Sequence, residues 1–116
     1  RARVFVLSEG AWFPARVRGP GRRPGACRVR FDGYSEEHDE VVGRGRMVAW
    51  AEAGPGRALQ ECRPGAEVVA ETDGVWYPAK VRAASGKRCL LRYEDKAYED
   101  EALPLARLRM LRRGVD

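Results

Sequence analysis

Apolar and polar residues alternate in short runs along this chain, and glycine, proline or an acidic turn closes each run. Arg3 to Leu7 alternates and predicts a first strand. Trp12 to Arg18 predicts a second, with Pro14 keeping its start away from a central, fully paired position. In a third, Cys27 to Phe31, Cys27, Val29 and Phe31 share one face and Arg28 and Arg30 the other. A short run from Asp39 to Val42, a tight turn over 43–46 and a run from Met47 to Trp50 complete five strands. The glycines and prolines of 19–25 read as a hairpin loop, and Asp32 to His38 as a polar turn.

Residues 51–65 carry Gly54-Pro55-Gly56 and Pro64-Gly65 and read as a linker, with room for a helical turn around Ala58 to Cys62. The pattern then restarts. Strands are predicted over 67–71, 76–82, 87–93 and 99–103, followed by a helical turn near 105–108 and a last strand near 109–111. Asp73-Gly74 marks a hairpin turn between the first two.

The restart is a duplication. Gly10-Ala11-Trp12-Phe13-Pro14-Ala15-Arg16-Val17-Arg18 returns as Gly74-Val75-Trp76-Tyr77-Pro78-Ala79-Lys80-Val81-Arg82. Cys27 to Asp32 parallels Cys89 to Glu94, and Asp39-Glu40 parallels Asp100-Glu101. Two copies predict an all-β chain of two small bent sheets: a first module over 1–50, a linker over 51–65 and a second module over 66–116. A module of about 50 residues buries little apolar surface alone, so the copies are expected to pack as one unit with Trp50 between them. Trp12 and Trp76 are expected in the core.

Charge follows the repeat. Residues 1–30 hold eight Arg and one Glu, whereas 31–61 hold seven acids and three Arg. Each module therefore has a basic front half and an acidic back half, unlike the continuous basic face of many nucleic-acid binders. Cys27, Cys62 and Cys89 leave at least one thiol unpaired, and no two have metal-finger spacing. Cys27 and Cys89 read as small core residues, which fits a reducing, intracellular setting. No apolar run approaches a membrane span. The chain begins with Arg and reads as part of a longer protein. With a single histidine, His38, and no nucleophile motif, the sequence predicts no enzyme and no cofactor.

The repeated G-x-W-[aromatic]-P-A-x-V, the stretch Arg28 to Glu40, Pro64-Gly65, Cys89 to Tyr93 and Glu101 to Leu105 together resemble tandem Tudor or Agenet modules of the Royal superfamily, and the SAWADEE domain in particular. The resemblance implies two Tudor-like five-stranded barrels in tandem and a nuclear chromatin reader that binds methylated lysine on a histone tail. It places an aromatic cage at Phe13, Phe31 and Tyr34, with Asp32, Glu36, Glu37 and Asp39 as an acidic rim. Phe13 and Phe31 can equally be ordinary core. A second-choice cage is Tyr77, Tyr93 and Tyr98, flanked by Glu94, Asp95 and Glu99. It ranks behind the first because Lys96 takes the place of Tyr34. SAWADEE domains hold zinc through a Cys/His cluster ahead of the third strand of the second module. Here that region is Ser85-Gly86-Lys87-Arg88-Cys89, so no metal is expected.

Two rival readings remain open at this point. Arg16, Arg18, Arg22, Arg23, Arg28 and Arg30 could serve an RNA- or DNA-binding module, with Arg112 and Arg113 adding phosphate contacts. The cage could also serve methyl-arginine or a non-histone partner.

Overall fold

The computed structural model describes residues 2–111. The chain divides into two units, Arg1–Ala53 and Gly54–Asp116. The first holds β1 (Arg3–Ser8), β2 (Ala11–Pro20), β3 (Cys27–Phe31), β4 (Glu40–Val42) and β5 (Met47–Ala49). All its pairings are antiparallel, in the order β4-β3-β2-β1-β5. Glu9 and Gly10 form the β1–β2 turn with φ of 49° and 81°, the left-handed pair that a two-residue hairpin favours.

Period-two alternation builds the core of this unit from Val6, Ala15, Val29, Phe31 and Val42, with Phe13 and Cys27 partly buried beside it. Trp12 is buried as expected. Trp50 stacks on Phe5 at 6.4 Å, and the Arg3 guanidinium lies 4.5 Å from the Trp50 ring centre.

The second unit holds β6 (Arg57–Ala58), β7 (Glu67–Thr72), β8 (Val75–Ser85), β9 (Arg88–Tyr93), β10 (Glu101–Pro104) and β11 (Leu108–Met110). Its order, β10-β9-β8-β7-β11-β6, repeats the first with one strand added. Asp73 and Gly74 repeat the left-handed turn. The bulge repeats too. Register slips between Val17 and Gly19 and again between Val81 and Ala83, leaving Arg18 and Arg82 as the extra residues.

The prolines also match. The Asp32 amide donates to the Pro14 carbonyl at 3.0 Å and the Glu94 amide to that of Pro78 at 3.1 Å, just past the last β3 and β9 rungs. On the other side each proline is only in register with Phe5 or Val69, at a position where its nitrogen and carbonyl both face away. Only one ladder bond is lost, at the end where the hairpin opens.

Residues 54–65 are not a free linker. Arg57 and Ala58 pair with Met110 and Arg109, so the expected helical turn is instead a short edge strand. Leu59 joins the core of Val68, Ala70, Val81, Leu91, Leu103 and Leu108. Gly54, at φ 114°, lies against the ring of buried Trp76, where any Cβ would overlap it. This fold-back brings Cys62 to 5.4 Å from Cys89, Cα to Cα, and the two form a disulfide. Cys89 is thus buried, as expected, but is not a thiol. Cys27 alone is free, and cysteine usage no longer argues for a reducing compartment. The pairing spans 27 residues, beyond what local pattern reports.

No helix among the described residues is long and apolar enough to cross a membrane. Arg112 and Arg113 lie outside the described residues.

Candidate functional site

Phe13 stands near the start of β2 and Phe31 ends β3, two residues out of register at the open end of the hairpin. Their rings meet edge to face, 6.1 Å apart at 82°. The chain then turns back sharply. The Tyr34 amide donates to the Phe31 carbonyl at 3.1 Å, and Gly33 takes the positive φ of 82° that such a turn requires at its third residue. Tyr34 therefore comes edge-on to Phe31 at 6.4 Å. Phe31 is 8% exposed and Tyr34 54%. Phe31 is both core and wall, so the two readings of that residue are not exclusive.

These three rings line a recess of about 130 Å³ together with Ser8, Glu9, His38 and Glu40. Tyr34 meets the His38 ring at 5.5 Å. The lining carries two carboxylates, Glu9 and Glu40, and lacks any lysine or arginine. Glu40 is held by Arg46, which donates to its carboxylate at 3.2 Å and to the Leu7 carbonyl at 2.9 Å. Arg46 thereby ties β4 to the turn that carries Ser8 and Glu9. Arg107 repeats this role toward the Glu71 carbonyl at 3.2 Å.

The expected acidic rim divides. Asp39 accepts from Arg30 at 2.9 and 3.1 Å and from Arg28 at 3.2 Å, with only 11% of its side chain exposed. The Arg30 hydrogen bond, opposed by desolvation and aided by charge attraction, holds the Asp39 carboxyl below its ordinary range. Asp32 pairs with Arg3. Glu36 and Glu37 remain on the surface, Glu36 at 3.7 Å from Arg30 and Glu37 at 3.9 Å from His38. The acids that line the recess are Glu9, which sequence reading passed over, and Glu40, which it placed in the acidic turn rather than at the recess. Their signal was the repeat, since each flanks a duplicated turn or acidic pair.

The second unit brings its three tyrosines together as well. Tyr98 meets Tyr77 at 5.5 Å and Tyr93 at 5.9 Å, edge to face in both. The Tyr98 amide donates to the Asp95 carbonyl at 3.1 Å. Tyr98, not Lys96, thus stands where Tyr34 stands in the first unit. The reason given for ranking this cluster second, a lysine in that place, does not hold. Burial, reinforced by the Glu101 carboxylate, pushes the Tyr93 hydroxyl up to about 12. Burial and then Tyr98 raise that of Tyr77. Glu94, Asp95 and Glu99 are exposed.

The residues ahead of β9 do not fit the zinc ion that SAWADEE domains hold. Cys89, the one candidate ligand, is bonded to Cys62. Among the described residues no three His, Cys, Asp or Glu are grouped to take a metal.

Residues 66–113 match the family model for the Agenet domain. The Arabidopsis thaliana AGDP1 AGD34 structure superposes with a TM-score of 0.69 at 17% identity, over 94% of this chain and 79% of that one. The ADCP1 tandem Agenet domain 3-4 gives 0.67 at 17% identity, over 94% and 77%. The SHH1 SAWADEE domain, solved in complex with an H3K9me3 peptide, gives 0.61 at 19% identity, over 95% and 97%. A comparison with curated protein sequences yields no significant match. At these identities the structural likeness is one of fold. The second unit thus matches the Agenet domain family, and the chain carries the all-β, Tudor-like fold of tandem Agenet and SAWADEE domains.

Proposed function

We propose that this chain is a non-catalytic chromatin reader that works in the nucleus and binds methylated lysine on a histone tail. Phe13, Phe31 and Tyr34 are its cage. One observation carries the reading: three rings from separate elements converge on a recess that two carboxylates line and no lysine or arginine does. A methylated ammonium keeps its charge but has lost hydrogen-bond donors. Aromatic faces attract it by about 0.5–2 kcal/mol per ring, and a carboxylate nearby adds to the field. Glu9 supplies that charge at the recess, and Glu40 adds to it while shared with Arg46. Glu36 and Glu37 face the basic residues that surround a modified lysine on such a tail. His38 closes the recess beside Tyr34. The histone peptide bound by the SHH1 SAWADEE domain, which shares this fold, supports the choice of partner.

The Tyr77, Tyr93 and Tyr98 cluster is the alternative position for the same chemistry. A methylated-peptide array probed with the wild-type chain tests the reading. Signal that rises with methylation at one or a few histone lysines is the expected result. Signal indifferent to methylation, or confined to methyl-arginine, contradicts it.

A further inference from the structure

In the second unit Asp100 gathers the basic residues of its hairpin. The bulge residue Arg82 donates to it at 2.5 Å and Arg92 lies 3.9 Å away. The first unit has the same acid at Asp39 and the same bulge residue at Arg18, but a different outcome. Position 28 is Arg where the second copy has Leu90, and Arg28 and Arg30 together occupy Asp39. Arg18 is left over. It points to solvent beside Arg16, and neither makes an ion pair or hydrogen bond through its guanidinium among the described residues.

The hairpin also continues further in this unit. Its tip, from Gly21 to Ala26, is ordered by two backbone bonds: the Gly21 amide to the Ala26 carbonyl at 2.8 Å and the Ala26 amide to the Arg23 carbonyl at 3.1 Å. Pro24 and Gly25, the latter at φ 82°, give Arg23 to Ala26 the geometry of a type II turn. Arg22 and Arg23 are displayed there, exposed and without carboxylates, and the exposed Arg44 guanidinium lies over Gly25. The second unit has only the short Ser85-Gly86 connection in this place.

We infer that this hairpin, through Arg16, Arg18, Arg22 and Arg23 and with Arg44 of the 43–46 turn beside its tip, binds the phosphate backbone of double-stranded DNA. Four uncompensated guanidiniums on one ordered hairpin, with a fifth from Arg44 laid against its tip, form a surface for phosphates rather than a solvated rim of paired charge. The partner follows from what accompanies them. No aromatic ring interleaves with the arginines, so the stacking platform of a single-strand binder is missing. Among the described residues Val41 is the only large exposed apolar side chain shown beside the tip, too little to anchor in a membrane interface. Backbone phosphates of a duplex need neither. Arg22, Arg23 and Arg44 sit at the closed end of the hairpin and the recess at its open end, while Arg16 and Arg18 run along β2 between them and outside the recess lining. Four residues of β3, about 13 Å, separate the Ala15–Phe31 pair from the Pro20–Cys27 pair. Peptide and duplex contacts therefore use different side chains, and the inference does not depend on what the recess binds.

The test is fluorescence anisotropy of the intact chain with a labelled DNA duplex across a salt series. Four to five phosphate contacts predict a slope of log K on log salt of about −3.6 to −4.5, an affinity loss of at least about 150-fold between 50 and 200 mM salt. R22Q/R23Q should reduce the slope by about 1.8, and R22K/R23K should restore most of it. R16Q/R18Q/R22Q/R23Q should abolish most binding while circular dichroism stays that of the wild type. Tyr34→Ala should leave DNA binding unchanged even where it removes peptide binding. An R22Q/R23Q slope equal to that of the wild type would overturn the inference. So would binding to vesicles rich in phosphatidylserine with none to the duplex.

Discussion

Tyr34 meets Phe31 edge to face, with ring centroids 6.4 Å apart and planes at 75°. Gly33 makes the meeting possible, because the turn between them needs its φ of 82°. A side chain at Gly33 has open space around it, so strain there is conformational and not steric. Gly33→Ala should therefore cost on the order of 1 kcal/mol in chemical denaturation and weaken methyl-peptide binding by moving Tyr34. Gly33→Asn, which tolerates the left-handed region, should be milder in both. Equal effects from the two variants would remove the turn from the account.

Asp39 gives a pH dependence with a defined sign. Its folded-state value lies below the unfolded one, first because of the Arg30 hydrogen bond. The stability it contributes is present above the unfolded carboxylate range and is lost as pH falls through the folded value. Urea midpoints measured downward from pH 5 should fall for the wild type. Asp39→Asn should start lower and show a flatter acid limb.

Tyr93 acts at the other end of the scale. Its folded value, about 12, lies above the ordinary tyrosine value of 10. Stability from the buried neutral hydroxyl is complete below pH 10 and disappears as pH rises toward 12. An ultraviolet alkaline titration should show one tyrosine ionising last, and Tyr93→Phe should remove that step. A titration in which all tyrosines ionise together near pH 10 would contradict the buried hydroxyl.

Much of the fold was legible because it is local and repeated. Alternation from Cys27 to Phe31 located β3 to the residue, and the duplicated Gly-x-Trp stretch announced two equivalent sheets. The rings of Phe13, Phe31 and Tyr34 meet in sequence, Phe13 on Phe31 and Phe31 on Tyr34. What escaped notice depends on distant partners. Arg57 and Ala58 become a strand only because Arg109 and Met110 lie beside them. Asp32 reads as a free acid until Arg3, 29 residues earlier, is placed against it. Glu40 reads as rim until Arg46 and the Leu7 carbonyl turn it toward the recess. Tyr98 stands two residues beyond Lys96, the position that matches Tyr34 by count, and the turn closed on the Asp95 carbonyl brings it back.

The disulfide offers a separate test of how residues 54–62 join the second unit. Closing a loop of this length removes enough unfolded-state freedom to stabilise by about 3–4 kcal/mol. Cys62→Ser, and reduction of the wild type, should lower the melting temperature to a similar extent. Cys27→Ser should change it little. A wild-type melting curve insensitive to reductant would show that the two sulfurs are not joined in solution.

The cage is tested most directly by calorimetric titration of one histone-tail peptide, unmodified and methylated, against the wild type, Tyr34→Ala and Tyr98→Ala. Each true cage ring should carry about 1–2 kcal/mol, so Tyr34→Ala should weaken methylated-peptide binding roughly 5–30-fold. Tyr98→Ala should leave it near the wild type, and the unmodified peptide should bind weakly to all three. Equal wild-type affinity for the two peptides would contradict the account. Methyl-dependent binding lost only in Tyr98→Ala would contradict its placement at Phe13, Phe31 and Tyr34.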